Sequence, residues 1–250
     1  MEPGNEESYE RLTSVLEPVH DELAARLGPR PGERLLDLGS GTGAIALRAA
    51  RAGAAAVAID SAAPLLDKAR EDAGREGLSV QLDVGDVEYL PYEDAEFDLV
   101  GSAFGFIFAA DHANVAAEIA RVARPGARIG FTAWKPNPRV GELYRRFTEE
   151  PLEGREATEW GREDHVEDML GEDFELEFVD GTLWVDAGSG EELWELFSTS
   201  SPPVMALLQR LDAERAEAFH RAFAELYESY RDGDRIRAPR RYLLTLGTRR

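Results

Sequence analysis

The sequence predicts an α/β fold, a mostly parallel sheet with helices on both faces and right-handed crossovers. Three observations carry that expectation. Between residues 34 and 134, short apolar runs alternate with segments of helical periodicity and are joined by short links. The first run passes into a turn with glycine at alternate positions, Asp37-Leu38-Gly39-Ser40-Gly41-Thr42-Gly43. The next two runs lead into Asp60 and Asp86, so acidic residues recur where strands stop. In open α/β sheets that edge is where ligands bind.

The elements follow in order. Leu12, Val15, Leu16, Val19, Leu23 and Leu27 recur at helical spacing, and Pro18 predicts two short helices or a kinked one. Residues 1–8 are polar and expected to fray. Arg34–Leu38 is the first strand and Ala44–Ala52 its helix, closed by Gly53. Ala54–Ile59 is almost wholly small or β-branched, as suits a strand buried on both faces. Pro64 suits the first turn of a helix ending at Gly77. Ser79–Leu82 and Phe97–Ala103 are the third and fourth strands, separated by the polar residues 88–96. Asp111–Arg124 is a helix, and Pro125-Gly126 turns the chain into a fifth strand, Ala127–Trp134.

Beyond Trp134 the rhythm changes. Residues 139–172 are helical in pattern and very acidic. Phe174–Phe178 and Gly181–Val185 predict a strand near the sheet edge. Glu191–Ser200 and Val204–Tyr230 are two helical stretches, and Tyr242–Leu246 is a last short strand. The chain reads as one domain, 1–250. Its ligand-binding core is 34–134, and two helical additions, about 135–172 and 187–235, are expected to cover the mouth of the sheet.

Composition narrows the function. The 250 residues carry a formal net charge of −21. Such a surface repels nucleic acid, whose phosphates are bound by displacing counterions with Lys and Arg. With no cysteine in the chain, disulfides, thiolate metal sites and cysteine nucleophiles are excluded. No apolar run approaches the ~20 residues of a membrane helix, and the acidic start, Met1 to Glu10, has no apolar leader segment. These features predict a soluble, cytoplasmic protein.

The glycine turn by itself points to an adenosine-bearing ligand. Glycine there lets the backbone turn tightly and approach a ligand, and the following helix points its first amides back at it. Gly39-x-Gly41-x-x-Ala44 also fits the dinucleotide fingerprint, so the turn leaves NAD open. Asp60, with Ser61 beside it, ends the second strand, where a carboxylate can accept from both hydroxyls of a ribose. That too fits either cofactor. Gly85-Asp86-Val87 separates them: the carboxylate can accept from an adenine amine while the next backbone amide donates to a ring nitrogen.

Taken together, Arg34–Trp134 resembles the class I S-adenosylmethionine-dependent methyltransferases, especially the ubiquinone/menaquinone-biosynthesis group. Five elements match in order: Leu35–Gly43, Asp60, Gly85-Asp86-Val87, Phe97–Val100, and Glu118-Ile119-Ala120-Arg121-Val122-Ala123-Arg124-Pro125-Gly126. The resemblance implies a three-layer Rossmann-like fold with a seven-stranded sheet whose last strand is antiparallel. It implies S-adenosyl-L-methionine as methyl donor and S-adenosyl-L-homocysteine as product. Gly39, Ser40 and Gly41 would line the methionine portion with Asp37 near its ammonium group. Asp60 and Ser61 would take the ribose, Asp86 and Val87 the adenine. Ser102 and Ala103 would close the floor beneath the sulfur.

The acceptor side is less defined. Phe104, Phe106 and Trp134 are candidates for an apolar acceptor pocket, or else core. Tyr9, with Arg11, stands in the N-terminal segment that folds over the cofactor in this family. His112 is the best-placed histidine for a general base, although its helix-start position favours a surface residue over that role. His20, His165 and His220 read as surface residues, and no pair of histidines has metal-ligand spacing. The fourth strand lacks the Asn/Asp-Pro-Pro-aromatic element of nucleobase methyltransferases. The expectation is therefore a methyltransferase acting on a small molecule. Two other readings stand beside it: an NAD-dependent oxidoreductase, and a non-catalytic binder of the sulfonium compound or its demethylated product.

Overall fold

The computed structural model of the chain describes residues 3–148 and 157–250, with the backbone alone for 3–10 and 12. β1 (Arg34–Leu38) is central and pairs in parallel with β2 (Ala55–Asp60) and β4 (Phe97–Ala103). β3 (Val80–Val84) adds beyond β2 and β5 (Ala123–Trp134) beyond β4, both parallel. The C-terminal β8 (Arg235–Arg249) runs antiparallel to β5, from Arg128 opposite Thr248 to Trp134 opposite Tyr242. With β6 (Phe174–Ala187) at the edge, the order is β3-β2-β1-β4-β5-β8-β6, and a two-residue β7 (Arg231–Asp232) pairs with β8. The mostly parallel sheet and its antiparallel late strand are as expected; β7 is extra.

The chain divides into two compact units. One comprises Pro18–Lys135, Gly154–Gly181 and Arg241–Arg250. Its core is the sheet, and its tightest packing comes from two glycines. Gly101 and Gly130 are register partners on β4 and β5. A Cβ at Gly130 would stand 2.9 Å from Leu27 Cγ, and one at Gly101 3.1 Å from Leu27 Cδ1. The missing side chains make a depression that the end of α1 (Pro3–Leu27) fills. Leu23 and Leu27 are fully buried, each contributing about 2 kcal/mol of burial free energy.

The other unit comprises Met1–Glu17, Pro136–Glu153 and Thr182–Arg240. Its helices are α5 (Pro138–Arg145), α7 (Gly190–Ser200), α8 (Pro202–Leu208) and α9 (Ala213–Glu228). Phe219 of α9 is buried edge-on to Tyr144, Phe147 and Trp194. α7 and α9 meet at Gly190, where a Cβ would come within 2.9 Å of the Ala224 carbonyl carbon.

Several boundaries differ from the sequence reading. α1 is one continuous helix from Pro3, with the exposed Pro18 inside it. Proline removes one backbone bond, and the helix tolerates this because Val19, Leu23 and Leu27 bury along one side. The predicted Val204–Tyr230 helix is split, because Asp212 caps a new start by accepting from Arg215 N at 2.8 Å. β8 begins seven residues before Tyr242, its Arg-rich start alternating exposed arginines with the buried Ile236 and Ala238. α2 (Ala44–Arg51), α3 (Ala63–Glu76), α4 (His112–Val122) and α6 (Glu163–Leu170) complete the helices. No helix among the described residues is long and apolar enough to cross a membrane.

Candidate functional site

The turn between β1 and α2 is left-handed at Gly39, Gly41 and Gly43, with φ of 60°, 54° and 78°. Gly39 is needed for a further reason. A Cβ there would lie 2.7 Å from the carbonyl carbon of Gly105, beyond the end of β4. A Cβ on Gly105 would in turn lie 2.5 Å from the Leu38 carbonyl oxygen and closer still to that of Gly39. The two segments touch backbone to backbone. Sequence reasoning assigned Gly39 to the tight turn and to ligand approach, and gave Gly105 no role.

Asp37 is buried in β1 and reaches forward to the next helix. Its Oδ2 accepts from Ile45 N at 3.1 Å and Ala46 N at 2.9 Å. Gly43, the N-cap residue of α2, has no side chain to do this, so Asp37 satisfies the helix start. The expected donation of these first amides to a ligand is thus taken up, for Ile45 and Ala46, by the protein itself. Burial pushes the Asp37 carboxyl up to about 7, against the pull of these two amides; the nearby Asp60 charge adds to the rise.

Asp60 is fixed by the backbone on both oxygens. Oδ2 accepts from Gly41 N at 2.8 Å and Oδ1 from Ala62 N at 2.8 Å. Each oxygen keeps a further lone pair for a ligand hydroxyl. Beside it the Ser40 hydroxyl is buried and has no hydrogen-bond partner among the described residues. Ser61 is exposed. At the end of β3, Gly85 N donates to the Asp60 carbonyl at 3.1 Å, which ties the second and third strand ends together. Asp86 is exposed, and its Oδ1 accepts from Glu88 N at 2.9 Å, with Val87 half-buried between them.

At the end of β4 the buried Ser102 hydroxyl donates to the Leu38 carbonyl at 2.7 Å and accepts from Phe106 N at 3.2 Å. It is a cross-tie between β1 and the loop after β4. Ala103 beside it is half-buried. Phe104 adopts a left-handed backbone, φ 56°, uncommon for a residue with a side chain. Its ring stacks on Trp134 at 3.8 Å and 8° and meets Tyr242 edge-on. Phe106 turns elsewhere, into a buried cluster with Phe131 and Trp160. The three aromatic candidates are therefore not one group. Tyr9 lies outside the residues whose side chains are described, and Arg11 pairs with Glu192 within its own unit.

Two histidines are not where the sequence placed them. His112 opens α4 fully buried, its ring against Trp160 and its Nδ1 2.9 Å from His165 Nε2. His20 is also buried; burial, with the Arg48 charge next, holds its pKa down to about 4. The helix-start position of His112 and the polar surroundings of His20 had given both to the surface. Trp160 belongs to the sheet-bearing unit, through a long-range contact with no local signal.

The residues present fit an adenosyl sulfonium ligand. The fixed Asp60 carboxylate, the buried Ser40 hydroxyl and the exposed Asp86 at the adjoining strand end supply acceptors and a donor around one glycine turn. Residues 36–131 match a methyltransferase domain family. An uncharacterised protein of Mycobacterium tuberculosis is 31% identical over 230 residues, which span 86% of this chain and 83% of that one. A second from the same organism is 37% identical over 164 residues, covering 63% of this chain and 59% of its own length. The demethylmenaquinone methyltransferase of Thermus thermophilus is 37% identical over 135 residues, 52% of this chain and 60% of its own. The chain thus spans under two thirds of the length of these last two relatives. Among solved structures, the YcgJ protein of Bacillus subtilis superposes with a TM-score of 0.67 at 17% identity, covering 92% of this chain and 97% of its own. With the fold, the strand-end carboxylates and these likenesses in agreement, the chain belongs to the class I S-adenosylmethionine-dependent methyltransferases and is similar to the quinone-biosynthesis group.

Proposed function

We propose that the protein transfers a methyl group from S-adenosylmethionine to a small-molecule acceptor. The observation that carries this reading is Asp60, whose carboxylate is locked to the glycine turn at Gly41 and to the start of α3 at Ala62. It is fixed in place to accept from a ribose diol. When bound, the sulfonium compound supplies an electrophilic methyl carbon and a neutral thioether leaving group. By the family resemblance, Asp37 beneath the turn would lie near the ligand's ammonium group. Asp86 and the Val87 amide serve the adenine edge, and the Ser40 hydroxyl gains a partner. Ser102 holds the loop after β4 against β1, which fixes the floor of the site.

Displacement at carbon needs alignment and a dry site more than it needs a protein base. The stacked Phe104 and Trp134 beside the end of β4 suit an apolar or aromatic acceptor; with a surface of charge −21 this favours a small molecule over nucleic acid. We place the reaction in the cytoplasm, in keeping with a chain free of cysteine. Calorimetry tests the cofactor assignment: S-adenosylmethionine and S-adenosylhomocysteine should bind with one-to-one stoichiometry and NAD should not. Binding of NAD alone would overturn the reading, and a chain that binds donor yet never yields S-adenosylhomocysteine with a broad acceptor panel would be a sensor.

A further inference from the structure

Outside the glycine turn, the fold assembles a set of side chains that sequence spacing keeps far apart. His112 stands at the first position of α4, Glu159 in the short helical turn Glu159–Gly161, and His165 in α6. One imidazole nitrogen from each histidine and one Glu159 carboxylate oxygen all lie within 4.8 Å of one another. His112 Nδ1 is 2.9 Å from His165 Nε2 and 4.0 Å from Glu159 Oε2.

We propose that His112, Glu159 and His165 form a binding site for a divalent transition metal of the zinc class. Two imidazoles and a carboxylate are a donor set that suits zinc, cobalt, nickel or ferrous iron and is too nitrogen-rich for magnesium or calcium. At metal–ligand distances of about 2.0–2.1 Å, two ligand atoms on one tetrahedral ion lie about 3.3 Å apart. The histidine nitrogens are already near that spacing. The carboxylate oxygen, now 4.0 Å from His112 Nδ1, must move inward, on a side chain that is 37% exposed.

The surroundings favour binding. His112 is buried on one side and Trp160, wholly buried, packs against both imidazoles at 5.0 and 5.3 Å. An apolar wall behind the ligands excludes water and strengthens their attraction for a cation. The Glu159 side chain is 37% exposed, while its Oε2, the oxygen nearest His112, is buried. In the metal-free pair one imidazole donates its proton to the other. On binding, that proton moves to the outer nitrogen of the donating ring, so both facing nitrogens present lone pairs and both rings stay neutral. A bound ion would tie α6 and the Glu159 turn to the start of α4.

The test uses the full chain prepared without a histidine tag and stripped with a chelator. Titration with zinc is expected to give one tightly bound ion per chain and a raised melting temperature, while magnesium gives neither. Cobalt should give the visible absorption of a four- or five-coordinate ion. Glu159→Gln and His165→Gln should weaken zinc binding by about a hundredfold or more. Should His165→Gln fail to fold, the half-exposed Glu159→Gln carries the test. Zinc binding unchanged in the folded variants, or no stoichiometric zinc binding by the parent, would overturn the proposal and leave the histidines as a hydrogen-bonded packing contact. Binding is read directly, so this outcome is independent of methyl transfer.

Discussion

Gly39 and Gly105 meet backbone to backbone, with no room for a Cβ on either. The glycine turn is held in shape by the loop after β4, before any ligand arrives. Gly105→Ala should therefore destabilise the protein by about 3 kcal/mol or more, because the obstacles are the backbone carbonyl groups of Leu38 and Gly39, which cannot swing aside. Urea unfolding measures the loss. A variant as stable as the parent would show that the two segments can part at little cost.

Asp60→Ala should weaken S-adenosylmethionine binding by roughly 1–3 kcal/mol, since it leaves ligand hydroxyls without an acceptor. It also frees Gly41 N, so the turn itself should loosen. Calorimetry gives the affinity, and amide exchange at Gly41 gives the loosening. Unchanged affinity would mean the ribose lies elsewhere.

Asp37 and His20 set opposite pH dependences. The folded pKa of Asp37, about 7, lies above its unfolded value of 3.8, so the folded state holds the proton between those values. Its contribution is fully present below pH 3.8 and is lost as pH rises through about 7, by up to about 4 kcal/mol. Asp37→Asn keeps an acceptor for Ile45 and Ala46 but cannot ionise. Its stability relative to the parent should rise with pH across that window in urea titrations.

His20 works the other way. Its folded pKa, about 4, lies below the unfolded 6.5, so the unfolded chain takes up the proton first. Stability falls as pH drops from 6.5 to about 4, by about 3 kcal/mol, and levels off below. His20→Gln should remove that slope. If the parent and His20→Gln keep parallel pH profiles, the imidazole is not held neutral by burial.

Phe104 separates backbone strain from ring stacking. Phe104→Ala loses the stack on Trp134 and keeps the left-handed strain; Phe104→Gly loses both. The glycine variant should be the more stable of the two by about 1 kcal/mol, the reverse of the order expected at an ordinary strand position. Equal stability would show that the loop relaxes once the ring is gone.

What the sequence made legible was local. The turn at Gly39–Gly43, Asp60 and Asp86 each sit where an apolar run ends, so a few neighbouring residues announce them. What it hid was long-range. Gly105 is meaningful only against Gly39, and the burial of His112 only against Trp160 and His165, the last of these 53 positions away. The start of β8 was hidden differently: its arginines masked an alternation in which only Ile236 and Ala238 are small and apolar enough to show. Charged side chains at alternate positions of a strand read as loop when counted by composition.

The double clasp on Asp60 has a consequence for turnover. A carboxylate already frozen by Gly41 and Ala62 loses no rotamer freedom when a ribose arrives, an ordering cost of about 0.5–1.5 kcal/mol that folding has met beforehand. On the proposed reading, the diol it would accept from is the part that the methyl donor and its spent form have in common. A grip on shared chemistry cannot favour exchange of one for the other, so the used nucleoside should compete with the fresh one, and the catalytic cycle should slow as its own by-product accumulates.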